Sequence, residues 1–254
     1  MTLRRIVALV LAVAMVTGCA QLMADSVESL LKQGIELFTQ RNYDEAIAKL
    51  LEVVRRDAKS WTAYLYLARS YVAKSSWADA IASGRKALEL APERGDVIPT
   101  LAEALLGAGR DALARRQFSE AASHFGEYVK LKPTDFQGYL QLGRAYLGNN
   151  AYADALRAFG QGLGQTPDAE GRRQLINGLA DGGRQALSSG NPGAAIDLLQ
   201  EYVRHDRNNV AAYLDLGKAY WARGNVTSAL GAFQRVLELN PSDPEALQFI
   251  GGRR

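Results

Sequence analysis

The sequence predicts an all-α solenoid built from six helix–turn–helix repeats and closed by a short C-terminal helix. Three observations carry this. The segments Trp61–Tyr71, Phe136–Tyr146 and Val210–Tyr220 align with one another at sight, and a repeat settles the fold before any element is assigned. A pair of small residues recurs six times at one spacing of 12: Gly34/Ala46, Ala68/Ala80, Gly109/Ala121, Gly143/Ala155, Gly183/Ala195 and Gly217/Ala229. Composition agrees, with 48% hydrophobic and 22% charged residues, 24 Gly and only 7 Pro, a mixture suited to closely packed helices and far from disorder.

Other positions follow the same register. A bulky residue of the second helix falls at Leu50, Phe125, Phe159, Leu199 and Phe233, with Gly84 breaking the series in the second repeat. Pro92, Pro133, Pro167 and Pro241 close second helices, because proline cannot continue one. Asn42, Ser76, Asn150, Asn191 and Asn225 stand in the turns as cap residues. The repeats run 27–60, 61–94, 95–135, 136–169, 170–209 and 210–243, and 244–254 starts a capping helix through Pro244, Ala246, Leu247, Phe249 and Ile250. Repeats three and five carry extra residues at Gly95–Leu101 and Glu170–Leu175. Seven residues make about two helical turns, so helix lengthening is expected in repeat three. The six of repeat five fit less well, and a looser turn is expected there.

The pattern Y-L-x-L-[GA]-[RK]-x-Y followed by a second helix resembles the tetratricopeptide repeat, a 34-residue helix–turn–helix unit. That resemblance implies a right-handed superhelix whose first helices line an inner groove. The groove positions it implies are Leu31, Ile35 and Phe38 in repeat one, and Leu65, Arg69 and Val72 in repeat two. They continue as Arg110 and Leu113, then Leu140, Arg144 and Leu147, then Arg184 and Leu187, then Leu214, Lys218 and Trp221. Five repeats thus set one cation beside apolar side chains, a pattern that suits an amphipathic helix or extended peptide with acidic flanks. The same cations also read as a solvated rim. Repeat one is apolar throughout, which marks either an interaction patch or a face covered by the N-terminal segment.

The N-terminus has its own signature. Arg4 and Arg5 precede Ile6–Val16, a charge-free run of about 11 residues, or ~16 Å of helix, too short for a ~30 Å bilayer core. It reads as a signal peptide over 1–18. Val16-Thr17-Gly18-Cys19 resembles the lipobox of bacterial lipoproteins, which implies fatty acylation, palmitate included, of Cys19, the single cysteine. In that family an Asp after the cysteine signals inner-membrane retention. Ala20 therefore implies an outer-membrane anchor facing the periplasm, with residues 19–26 as the lipidated tether to a repeat domain of 27–254. Asp25 and Ser26 are candidate helix caps, and Glu28 completes a possible capping box with Asp25.

Charge and chemistry narrow the function. There are 30 basic and 27 acidic residues, and two of the basic ones, Arg4 and Arg5, lie in the leader, so no nucleic-acid partner is expected. His124, His205 and Cys19 are the only imidazoles and thiol, which leaves no multi-ligand metal site and no cofactor to expect. No nucleophile elbow, Walker loop or zinc-protease motif occurs, and Gly160–Gly164 reads as helix packing. The chain reads as a protein-binding scaffold and not an enzyme. In length, anchor and repeat number it resembles the pilotins of type IVa pilus systems, which would make a secretin subunit the partner. An adaptor for peptidoglycan hydrolases or synthases and a scaffold for exopolysaccharide export stay open beside that reading, and an enzyme using the groove as a carbohydrate site is a distant fourth.

Overall fold

A computed structural model describes residues 26–165 and 168–252. The leader, Cys19, Asp25 and Pro167 lie outside the described residues. Among the described residues there are thirteen α-helices and no strand. First helices of the repeats are α1 (Val27–Thr39), α3 (Trp61–Ala73), α5 (Val97–Ala114), α7 (Phe136–Gly148), α9 (Ala169–Ser188) and α11 (Val210–Ala222). Second helices are α2 (Tyr43–Arg56), α4 (Trp77–Leu90), α6 (Phe118–Leu131), α8 (Tyr152–Gln165), α10 (Pro192–His205) and α12 (Val226–Leu239), and α13 (Pro244–Gly251) closes the series. No described helix is long and apolar enough to cross a membrane. The helices fall into two compact units divided between Ala104 and Leu105.

Each hairpin turns in the same way. Its first helix ends in a left-handed residue: Arg41, Ser75, Arg116, Asn150, Gly190 or Gly224, all with φ between 55° and 78°. Two backbone bonds then close the helix end. In the first hairpin Arg41 N–H donates to Phe38 O and Asn42 N–H to Leu37 O, both at 2.9 Å, and the other five repeat this pair. This Schellman closure satisfies carbonyls that would otherwise be orphaned and reverses the chain in three residues. Asn191 and Asn225 then cap the next helix, accepting from the amides of Ala194 and Ser228. Asn42 and Ser76 occupy the cap position without a side-chain bond, and Asn150 is the left-handed residue itself. At the start of α1 the cap is Ser26, whose hydroxyl accepts from Ser29 N–H at 3.1 Å. Glu28 is then the second residue of the helix, so the Asp25–Glu28 box is out of register with the observed cap.

The twelve-residue small pair has a more specific cause than close helix approach alone. A Cβ on Gly34 would meet Leu50 at 2.8 Å, and one on Gly109, Gly143, Gly183 or Gly217 would meet Phe125, Phe159, Leu199 or Phe233 at 2.3–2.6 Å. The glycine therefore receives the bulky residue sixteen positions later. All five of these phenyl and leucyl groups are fully buried, as are the six alanines of the second helices. Repeat two reverses the sizes, with Ala68 opposite Gly84, and Leu101 of α5 comes within 3.2 Å of where a Gly84 Cβ would lie.

The lengthened helices are explained by the same packing. Gly162 of α8 leaves room that Leu175 of α9 fills, as Leu101 fills the space at Gly84. Both leucines are buried. The expected looser turn in repeat five is replaced by one continuous 20-residue helix, capped by Asp168 on Gly171 N–H at 2.5 Å. The extra turns carry a core leucine back to the preceding second helix, and that burial, worth roughly 2 kcal/mol, favours helix over loop.

Candidate partner-binding surface

In the unit ending at Ala104 the groove register lies on α1 and α3. Leu31 and Ile35 are half-buried and line a surface hollow of about 410 Å³ with Glu28, Lys32, Glu36 and Thr39. These residues form one stripe of α1, apolar at its centre and charged along its edges. Phe38 is differently placed. Its ring meets Tyr66 edge-on at 5.4 Å and Tyr43 at 5.8 Å, which ties α1 to α2 and α3. Arg69 lies over the Tyr66 ring at 5.1 Å, and Val72 is half-buried. Leu65 is a core residue, packed with Ala87 and Val97, so it corrects the expectation of a groove-lining side chain.

In the unit from Leu105 the same register divides into three kinds of residue. Leu140 and Leu147 are buried in the core around Phe159 and Leu179, again correcting the groove expectation. Leu113, Leu187 and Leu214 are half-buried. Of the cations, Arg184 pairs with Asp181 at 2.6 Å and Lys218 with Glu245 of α13 at 2.5 Å. Arg110 and Arg144 are exposed with no ion pair among the described residues. The stripe is thus basic at α5 and α7 and neutralised at α9 and α11. Trp221 is 38% exposed and meets Phe249 of α13 edge-on at 5.4 Å. Between Arg184, Lys218 and Glu245, burial holds the Asp215 carboxyl above its ordinary pKa, Glu245 adding to the rise and the two cations opposing it.

His205 contacts Glu201 and Arg172 at 3.2 and 3.0 Å, and His124 lies 3.7 Å from Glu120. His205 thus bridges α10 to α9, and each imidazole faces a carboxylate of its own helix. Among the described residues no group of three His, Cys, Asp or Glu could hold a metal ion. One feature was missed in the sequence: a hollow of about 910 Å³ between the second helices α6 and α8, floored by Tyr139, Leu142 and Tyr146 of α7. A repeat-by-repeat comparison of the second helices carries its signal, since Ala122 stands where other repeats have Ile47, Ile81, Leu156, Ile196 and Leu230.

The tetratricopeptide repeat profile matches residues 31–94, 106–170 and 181–244, most of the chain. The chain belongs to the tetratricopeptide repeat family. Such repeats act as protein-binding scaffolds, and this one is all-α throughout its described length. Among solved structures it is similar to the Naa15/Naa10 complex bound to HypK-THB, at 17% identity over 93% of this chain and 35% of that one, with a TM-score of 0.54. It is also similar to YrrB, a tetratricopeptide protein with an unusual peptide-binding site, at 17% identity over 92% and 97% of the two chains, TM-score 0.39. PilW, a widely conserved type IV pilus biogenesis factor, aligns at 18% identity over 88% and 98%, TM-score 0.37. These likenesses concern the fold. No curated protein matches the sequence significantly.

Proposed function

We propose that this tetratricopeptide protein is an outer-membrane lipoprotein that holds an unassembled secretin subunit at the membrane, in the manner of a type IV pilus pilotin. The observation that carries the reading is the apolar stripe of α1. Leu31 and Ile35 lie only twelve and sixteen residues after Cys19, the residue expected to bear the lipid. Seven extended residues span ~25 Å, so a partner bound to this stripe stays within a few nanometres of the bilayer. Three acyl chains anchor stably where one does not, and tethering raises the effective concentration of bound subunits at the membrane. A bound subunit also keeps its apolar segments covered until it assembles, which limits aggregation. The secretin assignment rests on the resemblance in anchor, chain length and repeat number.

Three measurements test this. Deleting the gene is expected to abolish heat-resistant secretin multimers while monomer persists; unchanged multimers would sink the pilotin reading. Cys19→Ser is expected to move the protein out of the membrane fraction, and continued membrane association would contradict the anchor. Leu31→Glu with Ile35→Glu is expected to abolish secretin co-purification with the helical circular dichroism intact. Phe38 is the wrong residue for that experiment, because its ring is packed between Tyr43 and Tyr66 and its loss would unsettle the hairpin.

A further inference from the structure

We propose that the hollow between α6 and α8 receives helix α2 of a second copy of this chain. The hollow exists because side chains are short where other repeats have long ones. Ala122 replaces the Ile or Leu of all five other repeats. Gly126 of α6 stands where the other second helices have Leu51, Arg85, Gly160, Gln200 and Gln234, and Gly164 of α8 where they have Arg55, Glu89, Lys130, Arg204 and Glu238. A Cβ on either glycine would meet nothing within 4 Å, in contrast to the glycines that accept a core side chain. Neither has a left-handed backbone. Each therefore costs roughly 1 kcal/mol of helix stability relative to Ala with no return from packing inside the chain. Beneath them the floor is apolar, and the rim carries charge at both ends.

Among the described residues, a surface of α2 fits it. The outward stripe of α2 is Asp44, Ala48, Leu51 and Arg55, all exposed, and Leu51, at 46%, is one of three exposed large hydrophobic side chains among the described residues. Asp44 and Arg55 are eleven residues apart, as are Asp154 and Gln165 on the wall of the hollow, or about 16 Å in each case. A helix of that length and ~11 Å across, sunk to its axis, displaces roughly 800 Å³, against the 910 Å³ available. Laid antiparallel to α6 and α8, α2 brings Arg55 to Asp154 and Asp44 to Lys130. Lys130 has no ion pair among the described residues, Asp154 has only the Arg157 of its own helix, at 2.9 Å, and the incoming Asp44 and Arg55 each exchange an ion pair of their own chain, with Lys74 and Glu52. Leu51 then falls level with Ala158, between Ala122 and Gly126. The two faces differ, so the contact is heterologous, and each pair keeps one free surface of each kind.

Sedimentation velocity of the purified full-length chain in mild detergent, across a concentration series, tests this. Wild type is expected to associate beyond the dimer as concentration rises. Leu51→Glu and the filled variant Ala122→Ile/Gly126→Gln/Gly164→Arg are each expected to associate at least ~10-fold more weakly, although the filled variant melts higher than wild type. An equimolar mixture of the two is expected to form one-to-one pairs and nothing larger, since each supplies the surface that the other lacks. A monomeric wild type, a filled variant that assembles normally, or a mixture that associates no better than its components overturns the proposal.

Discussion

At the scale of single residues, glycine plays two opposed parts in this chain. Gly143 is filled by the Phe159 ring, whose Cε1 lies 2.3 Å from where a Cβ would be, while Gly160, one residue after that phenylalanine, faces open space. Gly143→Ala is expected to destabilise by about 1–3 kcal/mol through overpacking of a ring that has no exposed side to move toward. Gly160→Ala is expected to stabilise by up to about 1 kcal/mol. Urea denaturation of both variants checks the pair, and equal effects would remove the distinction. Asp215 gives a second residue-scale expectation. Its carboxyl is raised above the ordinary value, mainly by burial and also by Glu245, against the pull of Lys218 and Arg184. The folded chain thus binds this proton more tightly than the unfolded one, so the contribution to stability grows as pH falls through the folded pKa and shrinks as pH rises through it. Asp215→Asn is expected to raise stability at neutral pH and to flatten that dependence in melts taken between mildly acidic and neutral buffer.

At the scale of elements, each hairpin is fixed by one turn geometry and one size match. Six left-handed residues and six Schellman closures set the reversal, and a small residue opposite a bulky one sets the depth of packing. The lengthened helices α5 and α9 extend this scheme to the preceding repeat by placing Leu101 and Leu175 against glycines. Leu175→Ala is expected to cost about 2–5 kcal/mol by leaving a cavity beside Gly162, where no Cβ stands to collapse into it. Hydrogen exchange reports the result, with protection lost first in residues 169–176 if the first turns of α9 depend on that contact. Uniform loss along α9 would show instead that the helix opens as a whole. The repeat pattern and the size-matched pairs inside each hairpin were legible in sequence because side-chain size at a fixed spacing is a local property. The continuous form of α9 was not, because six extra residues satisfy a turn or a helix equally well until Leu175 is given its pocket.

At the scale of the whole molecule, a repeat buries its apolar face only against a neighbour, so the last repeat of a series needs a cap. The C-terminal face is covered by α13, with Asp243 capping it through Ala246 N–H at 2.9 Å and Phe249 stacked on buried Phe233 at 4.4 Å. Ending the chain at Asn240 is expected to expose Phe233 and Trp221, lower the melting temperature by several degrees and promote aggregation, as light scattering during a thermal ramp would register. A truncated chain that melts unchanged would show α13 to be dispensable. At α1 the apolar stripe of Leu31 and Ile35 lines an open hollow, which supports the partner site proposed there.

The sequence by itself determined the family, the six repeats and the turn positions, because each is written in residue type at fixed spacing along one chain. It also proposed a groove register, without deciding which of its members are exposed. Only the tertiary structure decided that Leu65, Leu140 and Leu147 are core, that Arg184 and Lys218 are already paired, and that Ala122, Gly126 and Gly164 open a hollow on the second helices. The physical reason is that exposure and pairing belong to neighbours brought from other elements. A leucine at a groove position is buried or open according to the helix beside it, and a cation is free or neutral according to the carboxylate that packing delivers to it.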